Sequence, residues 1–444
     1  MAKKTRGLAA LACAYESGGE RAETLLAEAA KSLEQEGIEV EIAEQVVWTA
    51  KDALEVCRSF EKAEISSVAL IETTWIMDSV KYLLVHKLNV PMVFWAVPYA
   101  ETFSFASVHH FGSILTSQGI HFEYVFGLPG EPGIVKRLKE ISCVGEMIRE
   151  SRNLNLALLG PRQTWRVAGP QDMSNEEWEY SRKMGPTILH LEMEEVLERI
   201  EKITEKEAEE TLERLLPRTG KSLLSQEVML KQAKIYLAVK NLMATNHVGV
   251  VAGECYPQFG GLLELTASWL AEEGIQVDTE GDISHSVLMH LLYQFTKGKT
   301  ALCEAGSIDK KRNLVIGAHA GSSAQSLAGD YKLAQISPCG EEGAFVGTPL
   351  KPMDCVTVLS FTGKAGNYKM LISKGRTLEI PREEWIANGE KMLVYLQFQK
   401  DAEAVMRSMI EKGMDYHLLI HEGDCTELME LFCDYMGIQK IFVD

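Results

Sequence analysis

Apolar and polar positions alternate along this chain in two registers. Short apolar runs at Leu8 to Ala14, Val40 to Ala43, Ser67 to Ile71, Pro91 to Ala96 and His121 to Phe126 read as buried strands. Between them, Glu20 to Gln35, Ala50 to Phe60, Ile76 to His86, Phe103 to Ser117 and Glu131 to Glu150 carry the apolar spacing of amphipathic helices. Strict β-α alternation predicts a doubly wound parallel sheet of flavodoxin-like or Rossmann-like order. Its ligand side would be the carboxyl ends of the strands, around Glu72 to Trp75 and Pro98 to Phe103.

A second α/β unit begins near Asn153. Leu154 to Gly160, Thr187 to Leu191, His247 to Gly253 and Ile275 to Thr279 read as its strands, and the strand at Thr300 is expected to complete it. Met193 to Leu216, rich in Glu, Lys and Arg, is a solvated helix or hairpin, and Ser225 to Thr245 is another helix. From about Leu314 the texture changes to closely spaced β-like runs, at Val356 to Phe361, Tyr368 to Ile372, Arg376 to Ile380 and Met392 to Phe398. That spacing suggests a small barrel or sandwich. Helices at Ala402 to Lys412 and Thr426 to Met436, with strands at Tyr416 to Asp424 and Ile438 to Val443, close the chain.

Length makes several cores necessary, since 444 residues exceed a single domain. The expected domains are 1–152, 153–308 and 309–444. A formal net charge of −18 argues against a nucleic-acid partner, whose phosphates need Lys and Arg. Nine cysteines without a C-x-x-C pair support neither a disulfide framework nor a structural zinc site, and a reducing cytoplasm fits them. No apolar run is long enough to span a membrane. The first β-α turn, Tyr15 to Glu20, lacks G-x-G-x-x-G, and Gly220-Lys221-Ser222 lacks the earlier glycine of a phosphate loop, so no nucleotide site is expected.

Candidate chemistry gathers between Val277 and Asp330. Glu280 follows Ile275 to Thr279, Glu304 follows Thr300 to Cys303, and His319 follows Asn313 to Ala318. Polar groups at the tips of apolar strands need a hydrogen-bond partner or a metal. Any one of them alone is more simply a loop residue, and Glu280-Gly281-Asp282 alone is an acidic helix start.

Taken together, Thr279-Glu280-Gly281-Asp282, Cys303-Glu304, Leu314 to Gly321, and His417 six residues before Gly423-Asp424 resemble the L-fucose isomerase / L-arabinose isomerase superfamily. The resemblance is strongest over residues 248–444. It implies two α/β domains and a C-terminal β-barrel-like domain, and a homo-oligomer, trimer or hexamer, whose active site is shared between subunits. It further implies that Glu280 and Glu304 bind a divalent metal and exchange protons, with His417 as a ligand and His319 as the additional histidine of the arabinose branch. Mixed oxygen and nitrogen ligands suit Mn²⁺, with Co²⁺ and Mg²⁺ as alternatives. The activity implied is aldose-ketose isomerisation of an open-chain pentose, deoxyhexose or modified hexose through an enediol, the two Glu acting as an acid/base pair. The alternative is a non-catalytic sugar-binding relative.

Three further positions are expected to shape substrate choice. His285 departs from the small residues of relatives and is a candidate pocket residue, as are Trp75 and Phe103 of a neighbouring N-terminal domain. A sulfonated sugar would need a Lys or Arg that the sequence alone does not locate. His421 competes with His417 as ligand; its spacing favours His417. His109-His110 reads as structural.

Overall fold

Five strands form the first sheet: β1 (Gly7–Leu11), β2 (Glu41–Ile42), β3 (Val68–Glu72), β4 (Met92–Ala96) and β5 (Glu123–Phe126). They lie parallel in the order β2-β1-β3-β4-β5, the flavodoxin-like arrangement. Every residue of β1, β3 and β4 is buried, because helices cover both faces of the sheet. Leu8, Ala10, Ile71 and Trp95 pack with Leu25, Leu33 and Leu138 on one face. Ala9, Leu11, Leu70 and Phe94 pack with Val56, Phe60, Leu84 and Phe111 on the other. The helices expected between these strands are all present, and the second starts on a reciprocal Thr49–Asp52 cap.

The computed structural model describes residues 6–160, 177–255, 259–319, 323–364 and 366–443. They divide into two compact units, Met1–Arg149 with Asp434–Gly437, and Glu150–Cys433 with Ile438–Asp444. Within the first unit Tyr435 donates its hydroxyl to the Met92 carbonyl at 3.0 Å and meets the His121 ring edge-on.

The second unit holds another parallel sheet, made from β6 (Asn155–Leu159), β7 (Thr187–Leu191), β9 (Val250–Gly253) and β10 (Val277–Asp278) in the order β10-β9-β6-β7. The short β8 (Lys221–Ser222) falls between β7 and β9 in the chain but lies in a separate sheet, described below. Between β7 and β9 the Glu-rich stretch folds as two helices, Met193–Lys202 and Glu205–Leu215, each with one apolar face in the core.

The remaining strands are β11 (Thr300–Asp309), β12 (Leu314–His319), β13 (Gln335–Cys339), β14 (Gly343–Gly347), β15 (Met353–Lys364), β16 (Asn367–Leu378), β17 (Met392–Phe398), β18 (His417–Glu422) and β19 (Gln439–Ile441). A mixed sheet runs β15-β18-β11-β12-β17-β16-β19, and β15 also pairs with β16, so the hydrogen-bonded neighbours return to the strand they began from. Val315, Val358, Val394, Leu418 and Ile420 fill the core against it. Strands β14-β13-β8 form a small separate sheet.

Three expectations are corrected. The Thr300 strand belongs to this mixed sheet and not to the second parallel sheet, because it pairs antiparallel with both β18 and β12. It also continues past Glu304 to Asp309, with a bulge between Ala305 and Ser307, so Glu304 is a mid-strand residue. The separate strand read at Arg376 is the second half of β16, and the hairpin β13–β14 was not foreseen at all. No helix among the described residues is long and apolar enough to cross a membrane.

Candidate active site

Glu280 sits in the turn that joins β10 to the helix Ile283–Thr296. Asp278 sets this turn: its Oδ2 accepts the amide N–H of Glu280 at 3.0 Å and of Asp282 at 2.7 Å. Gly281 has φ +76°, and a Cβ there would lie 2.5 Å from Glu254 Oε1, so only glycine fits between the two acids. Asp282 then caps the helix, accepting from the Ser284 and His285 amides through Oδ1 at 3.1 and 3.0 Å.

The turn brings Glu280 to two imidazoles supplied by the mixed sheet. His319, at the end of β12, places Nε2 3.8 Å from Glu280 Oε1, and His417, at the start of β18, places Nε2 3.7 Å from Glu280 Oε2. One ligand atom from each of the three residues lies within 4.8 Å of the others. Both imidazoles are buried. His417 Nδ1 donates to Asp282 Oδ2 at 2.7 Å, which leaves Nε2 facing Glu280 with no hydrogen-bond partner.

Glu304 stands beside this group and outside the set of mutually close atoms. In register it faces His417 across β11–β18 and Ala318, the neighbour of His319, across β11–β12. Burial and then the Glu280 charge raise the carboxyl of Glu304 above its ordinary range, opposed by His417 and Lys391. Burial and the Asp282 charge push Asp278 well up, whereas His285 and His417 overcome burial and hold Asp282 well below the usual carboxylate range. Burial draws His417 down, but the carboxylates of Asp282 and Glu280 outweigh it and raise it well above the ordinary imidazole value.

A buried nitrogen that makes no hydrogen bond and stands 3.7 Å from a carboxylate, with a second imidazole beside it, is the donor arrangement that a divalent cation satisfies. The Asp282–His417 hydrogen bond adds the outer carboxylate that fixes a ligating imidazole's tautomer and orientation. The residues therefore fit the metal that the sequence suggests.

His285 lies in the first turn of the helix Ile283–Thr296. It is fully buried, its Nδ1 meets Asp282 Oδ2 at 2.6 Å, and its Nε2 accepts the Phe361 amide at 3.1 Å, so neither nitrogen is left for a sugar hydroxyl. Its place is behind His417, on the far side of the shared carboxylate. His421 is likewise occupied, by Thr296 and Thr300 hydroxyls at 3.0 and 2.9 Å, and burial lowers it to about 4. His417 thus remains the candidate ligand. Trp75 and Phe103 belong to the first unit, at the carboxyl side of its sheet; Trp75 stacks on His110 and Phe103 is more than half exposed.

Sequence reasoning missed Asp278 and Asp282 as parts of the site. Their signal was a pair of acids flanking Glu280 at two-residue spacing, with a histidine three positions after the second.

No family model matches the chain. A sulfoquinovose isomerase from Alkalicoccus urumqiensis is 22% identical over 363 residues, covering 77% of this chain and 78% of that protein. A sulfoquinovose isomerase from Clostridium sp. (strain MSTE9) is 23% identical over 327 residues, covering 72% and 71%. Among solved structures, an ABC transporter periplasmic solute-binding protein from Actinobacillus succinogenes 130z with bound D-allose aligns with 66% of this chain and 92% of its own, at 14% identity and a TM-score of 0.19, too slight a likeness to bear on the fold. With two isomerases matched over most of its length, the chain is an enzyme, a sugar isomerase.

Proposed function

We propose that the chain is a divalent-metal-dependent aldose-ketose isomerase whose substrate is a sulfonated hexose of the sulfoquinovose type. The observation that carries the metal-dependent mechanism is the convergence of Glu280, His319 and His417, with His417 held by Asp282 and its Nε2 making no hydrogen bond 3.7 Å from Glu280. The substrate class follows the two similar isomerases.

Glu280, His319 and His417 would hold the ion, with Glu304 adjoining them. When bound, a divalent ion such as Mn²⁺, Co²⁺ or Mg²⁺ supplies Lewis acidity to the carbonyl and hydroxyl oxygens on C1 and C2 of the open-chain sugar. The remaining work falls to the carboxylates. One takes the C2 proton, leaving an enediol, and returns a proton to C1; the hydroxyl proton on O2 is passed to O1, so aldose becomes ketose with no net change in atoms. Glu280 and Glu304 are the pair assigned to this exchange, and each such transfer contributes on the order of 10²–10⁴-fold. Buried surroundings favour the neutral form of Glu304, which suits a group that must carry a proton and give it up. Asp282 and Asp278 keep the turn and His417 in place while protons move.

The closed ring of pairings from β15 through β16 supports a barrel-like third domain. A homo-oligomer in which Trp75 and Phe103 of a neighbouring subunit complete the pocket belongs to the same reading.

The test is conversion of aldose to ketose by EDTA-treated protein given Mn²⁺, Co²⁺, Mg²⁺ or nothing, across sulfoquinovose, L-fucose, D-arabinose and L-arabinose. Metal-restored conversion of sulfoquinovose supports the reading. Conversion of only an uncharged sugar overturns the substrate class, and full turnover by metal-free protein overturns the mechanism.

A further inference from the structure

Two buried imidazoles share one carboxylate oxygen behind the candidate metal centre. Asp282 Oδ2 accepts the Nδ1 hydrogen of His285 at 2.6 Å and that of His417 at 2.7 Å. All three side chains are fully buried. The other oxygen is committed to the helix start: Oδ1 accepts the Ser284 amide at 3.1 Å, the Ser284 hydroxyl at 2.8 Å and the His285 amide at 3.0 Å. Oδ1 is therefore fixed by the first turn, and the direction of Oδ2 is left to the two imidazoles.

The far end of the His285 ring decides which of its nitrogens carries the hydrogen. Nε2 lies 3.1 Å from the Phe361 amide nitrogen, and an amide N–H can only donate, so Nε2 is the acceptor and the hydrogen sits on Nδ1. The place of Phe361 in β15 frees that amide. On one side Phe361 pairs with Met370 of β16, whereas on the other the β15–β18 ladder ends at Leu359–Leu419. Hydrogen bonds thus run in one direction, from the Phe361 amide to His285 and from His285 to Asp282. The opposite tautomer of His285 would set a lone pair against the Asp282 carboxylate and a hydrogen against the Phe361 N–H. With Oδ2 held as an acceptor, His417 places its Nδ1 hydrogen there, and the nitrogen it turns to Glu280 is Nε2, 3.7 Å from Oε2.

We infer that His285 is a positioning residue of the metal centre: it holds Asp282 Oδ2 against Nδ1 of His417, so that His417 presents Nε2 to an ion between Glu280 and His319. This inference rests on the metal-dependent reading of the same site and names the residue that fixes the tautomer of one ligand. Both nitrogens of His285 are engaged, so it takes no part in proton transfer. Its work is done through Asp282.

Two substitutions separate the two ends of the ring. In His285→Asn the amide nitrogen stands where Nδ1 does and still donates to Asp282; in His285→Gln the amide stands where Nε2 does, keeps an oxygen for Phe361 and leaves Oδ2 to His417 alone. Both variants lose the ring, so any packing defect is common to them. EDTA-treated proteins are titrated with Mn²⁺ by calorimetry. The tautomer of His417 is read in the metal-free proteins, labelled with nitrogen-15 histidine, by long-range proton–nitrogen NMR, with His417→Gln identifying its signals. In His285→Gln the Mn²⁺ affinity is expected to fall about tenfold or more and His417 to populate both tautomers, whereas His285→Asn stays within about threefold of wild type and keeps the hydrogen on Nδ1. Equal losses in both variants, a loss confined to His285→Asn, or no loss in either overturns the positioning role. A His417 hydrogen on Nε2 in wild type overturns it without recourse to any His285 variant. If wild type binds no Mn²⁺, the metal-dependent reading falls, and the His417 tautomer in His285→Gln still decides whether His285 orients His417.

Discussion

Glu264 offers a test of the buried acids around the site that does not depend on catalysis. It lies at the start of the helix Glu264–Glu272, is 7% exposed, and accepts the Gly261 amide at 2.8 Å through Oε1, while Oε2 has no hydrogen-bond partner. Burial raises its carboxyl from 4.5 to about 7 despite the amide contacts that oppose the shift. The folded state therefore binds the proton more tightly than the unfolded chain. The stability gained from this group is full below 4.5 and is lost as pH rises through about 7, a difference of about 3 kcal/mol. Glu264→Gln stays neutral at every pH and keeps an oxygen for Gly261. It should match wild type near pH 4.5 and exceed it by about 3 kcal/mol at pH 8. Urea unfolding in EDTA, followed through the buried Trp269 on the same helix, measures this at both pH values. An equal offset at pH 4.5 and pH 8 would refute the claim that burial of a charge sets the effect.

Other consequences can be measured alongside. Glu280→Gln and Glu304→Gln should each lower kcat for isomerisation by about 10²-fold or more with an unchanged circular dichroism spectrum; near wild-type turnover in either removes it from the proton-transfer pair. Asp282→Asn removes the charge that orients His417, and should weaken Mn²⁺ binding about 10- to 100-fold by calorimetry. His421, held neutral with a pKa lowered to about 4, takes up a proton more readily when unfolded, so its contribution is present above about 6.5 and is lost as pH falls toward 4. His421→Asn should flatten that acid limb in thermal melts, and an unaltered limb would assign it to other groups.

The first sheet was legible because its central strands β1, β3 and β4 are buried on both faces and read as near-continuous apolar runs, while the helices Ala22–Gln35 and Ala50–Lys62 each carry one apolar stripe. Strand β11 was misplaced for a physical reason: Thr300 to Cys303 is a short apolar run after a helix, which is what a parallel strand of the preceding sheet would also be. Only its pairing with β18, more than a hundred residues away, distinguishes the two. Among site residues, the motif located Glu280, His319 and His417, which the fold brings together. It also offered His285 as a candidate pocket residue, and spacing does not reveal that Asp282 and the Phe361 amide meet its two nitrogens.

The way each unit draws on distant chain has a bearing on biosynthesis. The first unit is built from residues up to Arg149 but includes Asp434–Gly437, and Glu280 meets His417 only across 136 intervening positions of sequence. A ribosome emits the first five parallel strands early, yet Tyr435 cannot reach Met92 and His121 until more than three hundred further residues have followed. Vectorial synthesis therefore yields a nascent first unit with one place unfilled and a second unit without His417, one of its two candidate histidine ligands. Both should acquire protease resistance late and together, and ribosome-stalled chains ending before residue 417 should bind no metal at this centre.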